Sequence, residues 1–456
     1  MSRVKLSNKQ DNTEASEIMY KIDDKPPLLL AILLGFQNIV AAFGGIVAVP
    51  LVVAGGLGLS VQDTAIFVSA AIFVAGIATV IQSKGIGPVG AKIPCIMGTD
   101  FTFVGPSIAV GSTMGLPAMF GGTILGSFIE MILSRFIKPL MRFFPPVVTG
   151  TVVSLIGLTL IPVSIDWAAG GVGAADYGSL QNLVIAMVVM TIIIMLNRYG
   201  KGILSTASVL VGMAVGYLVC IPLGMVDFTS VVTAKWFELP KLFRYGVEFS
   251  FAAFVPFVAA YLVTTIETVG CLKAIGEACE KDLTDEEVGA GLLADGTGSF
   301  IAGFFGANAN TSFSQNVGLI PMTKVASRFV VIISGILLLL LGIFPKIGAL
   351  IAVMPNPVLG GAGIVMFGNV AASGIKTLSR VKLNNRNLLI VAVSIGLGLG
   401  ITVRPDFIAN LPGALKSIFS SGISTGTFVA LILNLVLKEE SNASGNSIEE
   451  QEEIAV

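Results

Sequence analysis

The sequence has no histidine in 456 residues, and Asp, Glu, Lys and Arg together make up only 12% of it, half the roughly 25% of an ordinary globular protein. Without histidine there is no HExxH metal site, no Ser-His-Asp triad and no imidazole relay, so any proton chemistry must use carboxylates. Four cysteines, Cys95, Cys220, Cys271 and Cys279, show neither disulfide-like nor zinc-like spacing. A net charge of −1 supplies no basic field, and no nucleic-acid partner is expected. Residues 1–25 are polar and lack an apolar core, so no cleavable signal peptide is expected. Residues 438–456 form an acidic tail with the composition of a disordered segment.

What the chain has is apolar length. It is 54% hydrophobic with a mean hydropathy of +0.90, and runs of about 20 apolar residues, the length of a membrane-spanning helix, recur along it. Fourteen such segments are centred near residues 40, 72, 97, 122, 153, 188, 212, 258, 297, 315, 334, 361, 396 and 425. Those near 97 and 315 are interrupted by polar residues, Gly or Pro. An even count puts both ends on one side. If that side is the cytoplasm, the inner loops hold Arg135, Lys138 and Arg142; Arg198 and Lys201; Lys324 and Arg328; and Lys376, Arg380, Lys382 and Arg386. This matches the positive-inside rule, with Lys235, Lys241 and Arg244 as outer-loop exceptions.

The chain also repeats itself. GTDFTFVG (98–105) is echoed by NTSFSQNVG (310–318), matching Thr99 with Thr311 and Phe101 with Phe313. PPVVTG (145–150) is echoed by NPVLGG (356–361), and Phe101 precedes Pro146 by 45 residues where Phe313 precedes Pro357 by 44. Seven spans, an odd number, separate the copies, so they must run in opposite senses. Paired interrupted helices in inverted repeats point to a transporter site at the bilayer midplane. Irregular backbone at that depth is tolerated where it is buried or lines a cavity. Gly98-Thr99-Asp100 and Ser314-Gln315-Asn316 are therefore expected to meet near the centre, offering backbone groups and amides to a polar solute.

Intramembrane carboxylates are costly and usually functional. Glu267 lies within one long apolar helix, with Thr264 and Cys271 on its face, placed to carry a proton or accept a hydrogen bond from a substrate N–H. Asp295 sits near the start of the next apolar segment, in a Gly-rich setting suited to gating or coupling. Asp100 is open to two readings, a ligand-site group or the cap of a half-helix. Gln37 and Asn38 interrupt the first span and serve as site lining or interhelical glue. Glu130 is expected to pair with Arg135 and Lys138 at the cytoplasmic end. Gly318 is expected to free backbone for a ligand beside Asn316.

Together these residues resemble the nucleobase-ascorbate transporter family, or nucleobase:cation symporter-2. The resemblance is carried by Gln315-Asn316-x-Gly318-x4-Thr323, the glutamate of IETVG, the LADG run, FPPVVTGTVVSLIGLTLIP (144–162) and the break near 98, and it covers most of residues 28–437. It implies an all-α polytopic membrane protein of 14 segments in seven-plus-seven inverted repeats. Spans 3 and 10 would be half-helices carrying short β-strands. Core parts at 26–137 (spans 1–4) and 246–345 (spans 8–11) would face gate parts at 138–245 (spans 5–7) and 346–437 (spans 12–14). It further implies Glu267 as substrate-binding carboxylate, Gln315 as a second base-recognising side chain, Phe101 as a stacking contact and Asp295 as a carboxylate needed for transport. Members are often homodimers that work by an elevator-like motion.

Uracil-type members look Glu-like where this chain has Gln315, whereas xanthine and urate types have Gln. An amide offers both donor and acceptor to a purine edge. Three positions depart from the family pattern: Asn38 stands where His is usual, Cys271 where Asp or His is usual, and Asp100 where Ser is usual. Asp100 is expected to offset the group missing at 271. The reading is a xanthine or urate importer in the cell membrane, not an enzyme, without cofactor or metal and driven by H+, with Na+ as the alternative ion. Uracil is the alternative substrate. An anion exchanger or channel of similar fold would place a basic residue between the two breaks, and an intramembrane enzyme would need a nucleophile and base that this chain lacks.

Overall fold

A computed structural model describes residues 18–137, 139, 144–412, 415, 419 and 421–437. The acidic tail at 438–456, residues 1–17 of the N-terminal tail, Lys138 and Arg142 lie outside them. The helices are α1 (Leu28–Gly56), α2 (Val61–Lys84), α3 (Val104–Met114), α4 (Leu116–Leu133), α5 (Pro146–Ala168), α6 (Leu180–Tyr199) and α7 (Ser208–Cys220). They continue with α8 (Phe251–Ala278), α9 (Asp285–Phe305), α10 (Arg328–Gly342), α11 (Pro345–Ala352), α12 (Asn356–Leu378), α13 (Asn385–Val403) and α14 (Gly422–Val436). Two three-residue strands, β1 (Met97–Thr99) and β2 (Asn310–Ser312), interrupt this helical body. Every apolar segment centre falls on one of these elements or on the turn that follows a strand. Among the described residues, nine helices are long and apolar enough to cross a membrane, and α10 with α11 forms a pair bent by 79°.

Sequence punctuation sets the helix ends. Ser60 accepts a hydrogen bond from the Asp63 N–H to start α2, and Gly85 at φ +76° stops it. A capping box of Thr284 and Glu287 opens α9, which ends on left-handed Gly306. Gln37 and Asn38, expected to interrupt the first span, do not: α1 runs unbroken through them, and the Asn38 amide donates to the Leu34 carbonyl at 3.0 Å. A side-chain amide can be satisfied by the preceding turn without breaking the helix. Residues 19–24 lie along 324–328, where Met19 N–H donates to Lys324 O at 2.8 Å and Arg328 pairs with Asp23 at 2.7 Å.

Helix packing follows the repeat. α4 lies on α9 and α2 on α10; α8 lies on α4 and α1 on α10; α6 packs on α7 and α13 on α14. In each couple the second contact is the first with its helices exchanged for their counterparts in the other half. α5 and α12, the counterparts that carry the PPVVTG and NPVLGG runs, pack on each other. The strand ladder obeys the same exchange. Met97, Gly98 and Thr99 pair antiparallel with Ser312, Thr311 and Asn310. Replacing each residue by its repeat mate turns Gly98–Thr311 into Asn310–Thr99, which is the neighbouring rung. The mate of the Met97–Ser312 rung is present as well, in the bond from Asp100 N–H to Ala309 O at 3.1 Å.

Candidate functional site

Two strands at membrane depth expose backbone that helices would satisfy internally, so each is tied down by a hydroxyl from the neighbouring span. Thr79 of α2 accepts from Met97 N–H at 3.0 Å and donates to its carbonyl at 3.3 Å. Ser299 of α9 does the same for Asn310, accepting at 3.0 Å and donating at 3.1 Å. Thr99 reaches α1, donating to the carbonyls of Gly45 (3.1 Å) and Ile46 (3.0 Å). The Phe313 ring wedges between α1 and β1, because a Cβ on Gly45 or Gly98 would meet it at 2.9 and 2.6 Å.

Each strand then turns into a 3-10 helix, Phe101–Phe103 after β1 and Ser314–Asn316 after β2. Asp100 caps the first, its Oδ1 accepting from Thr102 N–H at 2.8 Å. Between the two turns lies a small cavity whose walls include Asp100, Phe101, Glu267, Thr311, Phe313 and Gln315, closed by Val153 and Ile156 of α5 and Val370 of α12. Asp100 thus does both things the sequence left open: it caps and it lines. Phe101 stands edge-on to Phe367, with ring centroids 5.3 Å apart. Glu267, half-buried on α8, supplies an acceptor to the cavity, and the Gln315 amide supplies both donor and acceptor.

The structure therefore brings Glu267, Gln315, Phe101 and Asp100 together and sets other expected site residues elsewhere. Gln37, Asn38 and Asn316 line a separate cavity with Leu34, Thr323 and Ser327. The Asn316 amide there donates to the Asn38 carbonyl (2.9 Å) and to its side-chain oxygen (3.1 Å). Ser314 is exposed beside the cavity. A Cβ on Gly318 would meet nothing within 4 Å and its φ is −65°, so neither crowding nor torsion requires glycine there. Cys271 is buried among Cys95, Met97 and Ile320, off the cavity wall.

Two acids sit where the sequence did not place them. Asp295 lies in the middle of α9, not near its start, and is fully buried. Thr268 of α8 donates to its Oδ2. Glu130 is fully buried too, and no ion pair among the described residues includes it, so the expected bridge to Arg135 is not made, while Lys138 lies outside the described residues. Its carboxyl faces Asp295 instead. Thr264 and Thr268 both approach Thr311, at 3.0 and 3.2 Å; the Thr99–Thr311 echo was the sequence signal for Thr311. Among the described residues no group of three or more Cys, Asp or Glu could hold a metal ion.

Residues 30–407 match the profile of the Permease family. The chain belongs to the nucleobase-ascorbate transporter family. A xanthine permease of Bacillus subtilis (strain 168) is 39% identical over 92% of this chain and 96% of its own. The uric acid transporter UacT of Escherichia coli (strain K12) is 41% identical over 89% of this chain and 85% of its own. Among solved structures, the transmembrane domain of the cyanobacterial bicarbonate transporter BicA superposes with a TM-score of 0.57 at 15% identity. It covers 87% of this chain and 100% of the BicA domain, a likeness of fold alone. The chain is a multi-pass membrane permease and not an enzyme.

Proposed function

We propose that this permease imports an oxopurine, xanthine or urate, with a proton. The observation that carries the reading is the pairing of Glu267 with the Gln315 amide on one small cavity beside Phe101. An oxopurine edge alternates N–H donors with carbonyl acceptors. A carboxylate matches the first and an amide matches both, while the aromatic ring packs against the planar base. The xanthine and urate names of the relatives agree with this choice.

The movement we propose is alternating access of elevator type. A core of α1–α4 and α8–α10 (residues 26–137 and 246–345) would shift against a gate of α5–α7 and α12–α14 (residues 138–245 and 346–437). In support, α5, α6, α7, α12, α13 and α14 pack on one another, and so do α1, α2, α4, α8, α9 and α10. The cavity lies where strand residues meet α5 and α12. The same reading places the protein in the cell membrane with both ends cytoplasmic, as a homodimer, with H+ rather than Na+ as coupling ion.

The test is uptake of labelled xanthine by transporter-null cells expressing the full chain. Unlabelled urate, hypoxanthine, guanine and uracil serve as competitors, with a protonophore in one arm and Na+ replaced in another. Protonophore-sensitive uptake blocked by urate but not by uracil is the expected result. Uracil uptake without xanthine uptake would overturn the purine reading, and Na+ dependence would overturn the choice of ion.

A further inference from the structure

Among the described residues, neither oxygen of Glu130 has a hydrogen-bond partner, although both are fully buried, and Asp295 Oδ1 is equally without one. What Glu130 meets is another acceptor, the Asp295 carboxyl. α9 can bring the two so close because its glycines face α4. A Cβ on Gly296 would meet Met131 Cγ at 2.9 Å and Ser127 O at 3.1 Å, and one on Gly289 would meet Ser134 O at 2.7 Å. Among the described residues, the other titratable groups acting on the pair are Asp100, Glu267, Cys95, Cys271 and the Tyr261 phenol. All of them are acids, and none is a cation. Two ionised carboxylates in one dry site repel, and an unpaired buried charge is costly. A proton between them gives one oxygen a donor and the other an acceptor.

From Asp295 a row of hydroxyls runs towards the cavity. Thr268 donates to Asp295, Thr268 and Thr311 lie 3.2 Å apart, and Thr264 and Thr311 lie 3.0 Å apart. Thr264 also lies beside the Asp100 carboxyl at the cavity wall, whose buried Oδ2 has no hydrogen-bond partner among the described residues and is free to carry a proton towards it. A threonine hydroxyl has one proton to donate and can accept at the same time. The row therefore has two complete settings. With every hydroxyl pointing to Asp295, a proton sits on Asp100; with every hydroxyl reversed, it sits on Asp295.

We propose that Glu130 and Asp295 share one exchangeable proton and that Thr268, Thr311 and Thr264 link it to Asp100 at the substrate cavity. In the transfer, the Asp100 O–H bond breaks as its proton passes to Thr264. Thr264 passes its own to Thr311, Thr311 to Thr268, and Thr268 to Asp295, with no other reactant. This deepens the proposed symport by locating its proton away from the purine, and to that extent rests on it. Glu130 is a positioning residue that never touches substrate.

The test has two readouts. Infrared spectra of the purified full-length chain in lipid nanodiscs, compared between acid and alkaline pH and between H2O and D2O, report a protonated carboxyl in apolar surroundings. The wild type is expected to show such a band, and E130Q and D295N are each expected to remove it. A band that survives both substitutions, or a wild type without one, overturns the shared proton. In cells, E130Q is expected to lower protonophore-sensitive xanthine accumulation about tenfold, within the range of ordinary coupling between two sites, and to flatten its pH profile, with E130D restoring part of the slope. T268V is expected to flatten the profile while keeping the infrared band. A wild-type profile in E130Q and T268V overturns the link. Should E130Q fail to fold, D295N and T268V carry the same comparisons. The infrared readout contains no purine, so a wild type that keeps the band but transports no xanthine would overturn the purine reading and leave the proton site standing.

Discussion

Asn316 holds Asn38: its amide donates to the backbone carbonyl at 2.9 Å and to the side-chain oxygen at 3.1 Å. The residue beside it, Gln315, lines the other cavity. One 3-10 turn thus ties the second break to α1 with one side chain and offers the next to a solute.

The clasp makes Asn316 a stability residue. N316A is expected to cost about 1–3 kcal/mol, the usual price of orphaning buried hydrogen-bond partners. Thermal unfolding in detergent would show the lower midpoint. The rank order of competing purines in the remaining uptake should match the wild type, since the cavity walls keep Glu267 and Gln315.

Gln315 and Glu267 should behave in the opposite way. Q315E keeps shape but removes the amide donor, and E267Q removes the acceptor charge. Each is expected to raise the half-saturating xanthine concentration about tenfold or more, the worth of one hydrogen bond of about 1.4 kcal/mol, without lowering the unfolding midpoint. Concentration-dependent uptake measures the first and calorimetry the second.

Asp100 caps a turn and faces the cavity, and the two roles separate by substitution. Ser retains an N-cap oxygen, so D100S is expected to unfold within a few tenths of a kcal/mol of wild type, whereas D100A loses about 1 kcal/mol. Both remove the carboxyl, and both should change the pH and ion dependence of uptake. An unchanged dependence in D100S would sink the idea that Asp100 replaces the group missing at Cys271.

The wedge of Phe313 gives a packing test. G45A places a methyl 2.9 Å from its ring, and overpacking of this kind costs about 1–3 kcal/mol. F313L shortens the wedge, so the double variant should lose less than the two single changes added together, a coupling that a double-mutant cycle on unfolding midpoints would measure.

Composition and the Thr99-x-Phe101 echo of Thr311-x-Phe313 made the membrane setting, the inverted repeat and the meeting of the two breaks legible. Adjacency in sequence was the poorer guide. Gln315 and Asn316 are neighbours, but successive residues of a 3-10 turn point a third of a turn apart, so they reach different cavities. Sequence spacing suggests Arg135 as the partner of Glu130, yet a residue five positions on lies well round an α-helix with 3.6 residues per turn. The glycine row of α9 decides its partner, and only the packing of α4 on α9 reveals that Asp295 is opposite. The Gln37-Asn38 pair misled for a related reason, since polarity within a span does not break a helix whose own preceding turn can accept the amide.

The two-strand ladder also has a consequence for how the protein is made. β1 finds its hydrogen-bond partners in β2, more than two hundred residues later in synthesis. While the ribosome is still extending the chain, the first break would enter the bilayer with an unpaired edge, its contacts from the first half including the Thr79 bond and the Thr99 bonds to α1. The cavity between the two turns is thus a late product of biogenesis, completed when the second half arrives. A chain that stops after α7 would insert seven spans yet present an open strand edge, a natural mark for quality-control proteases.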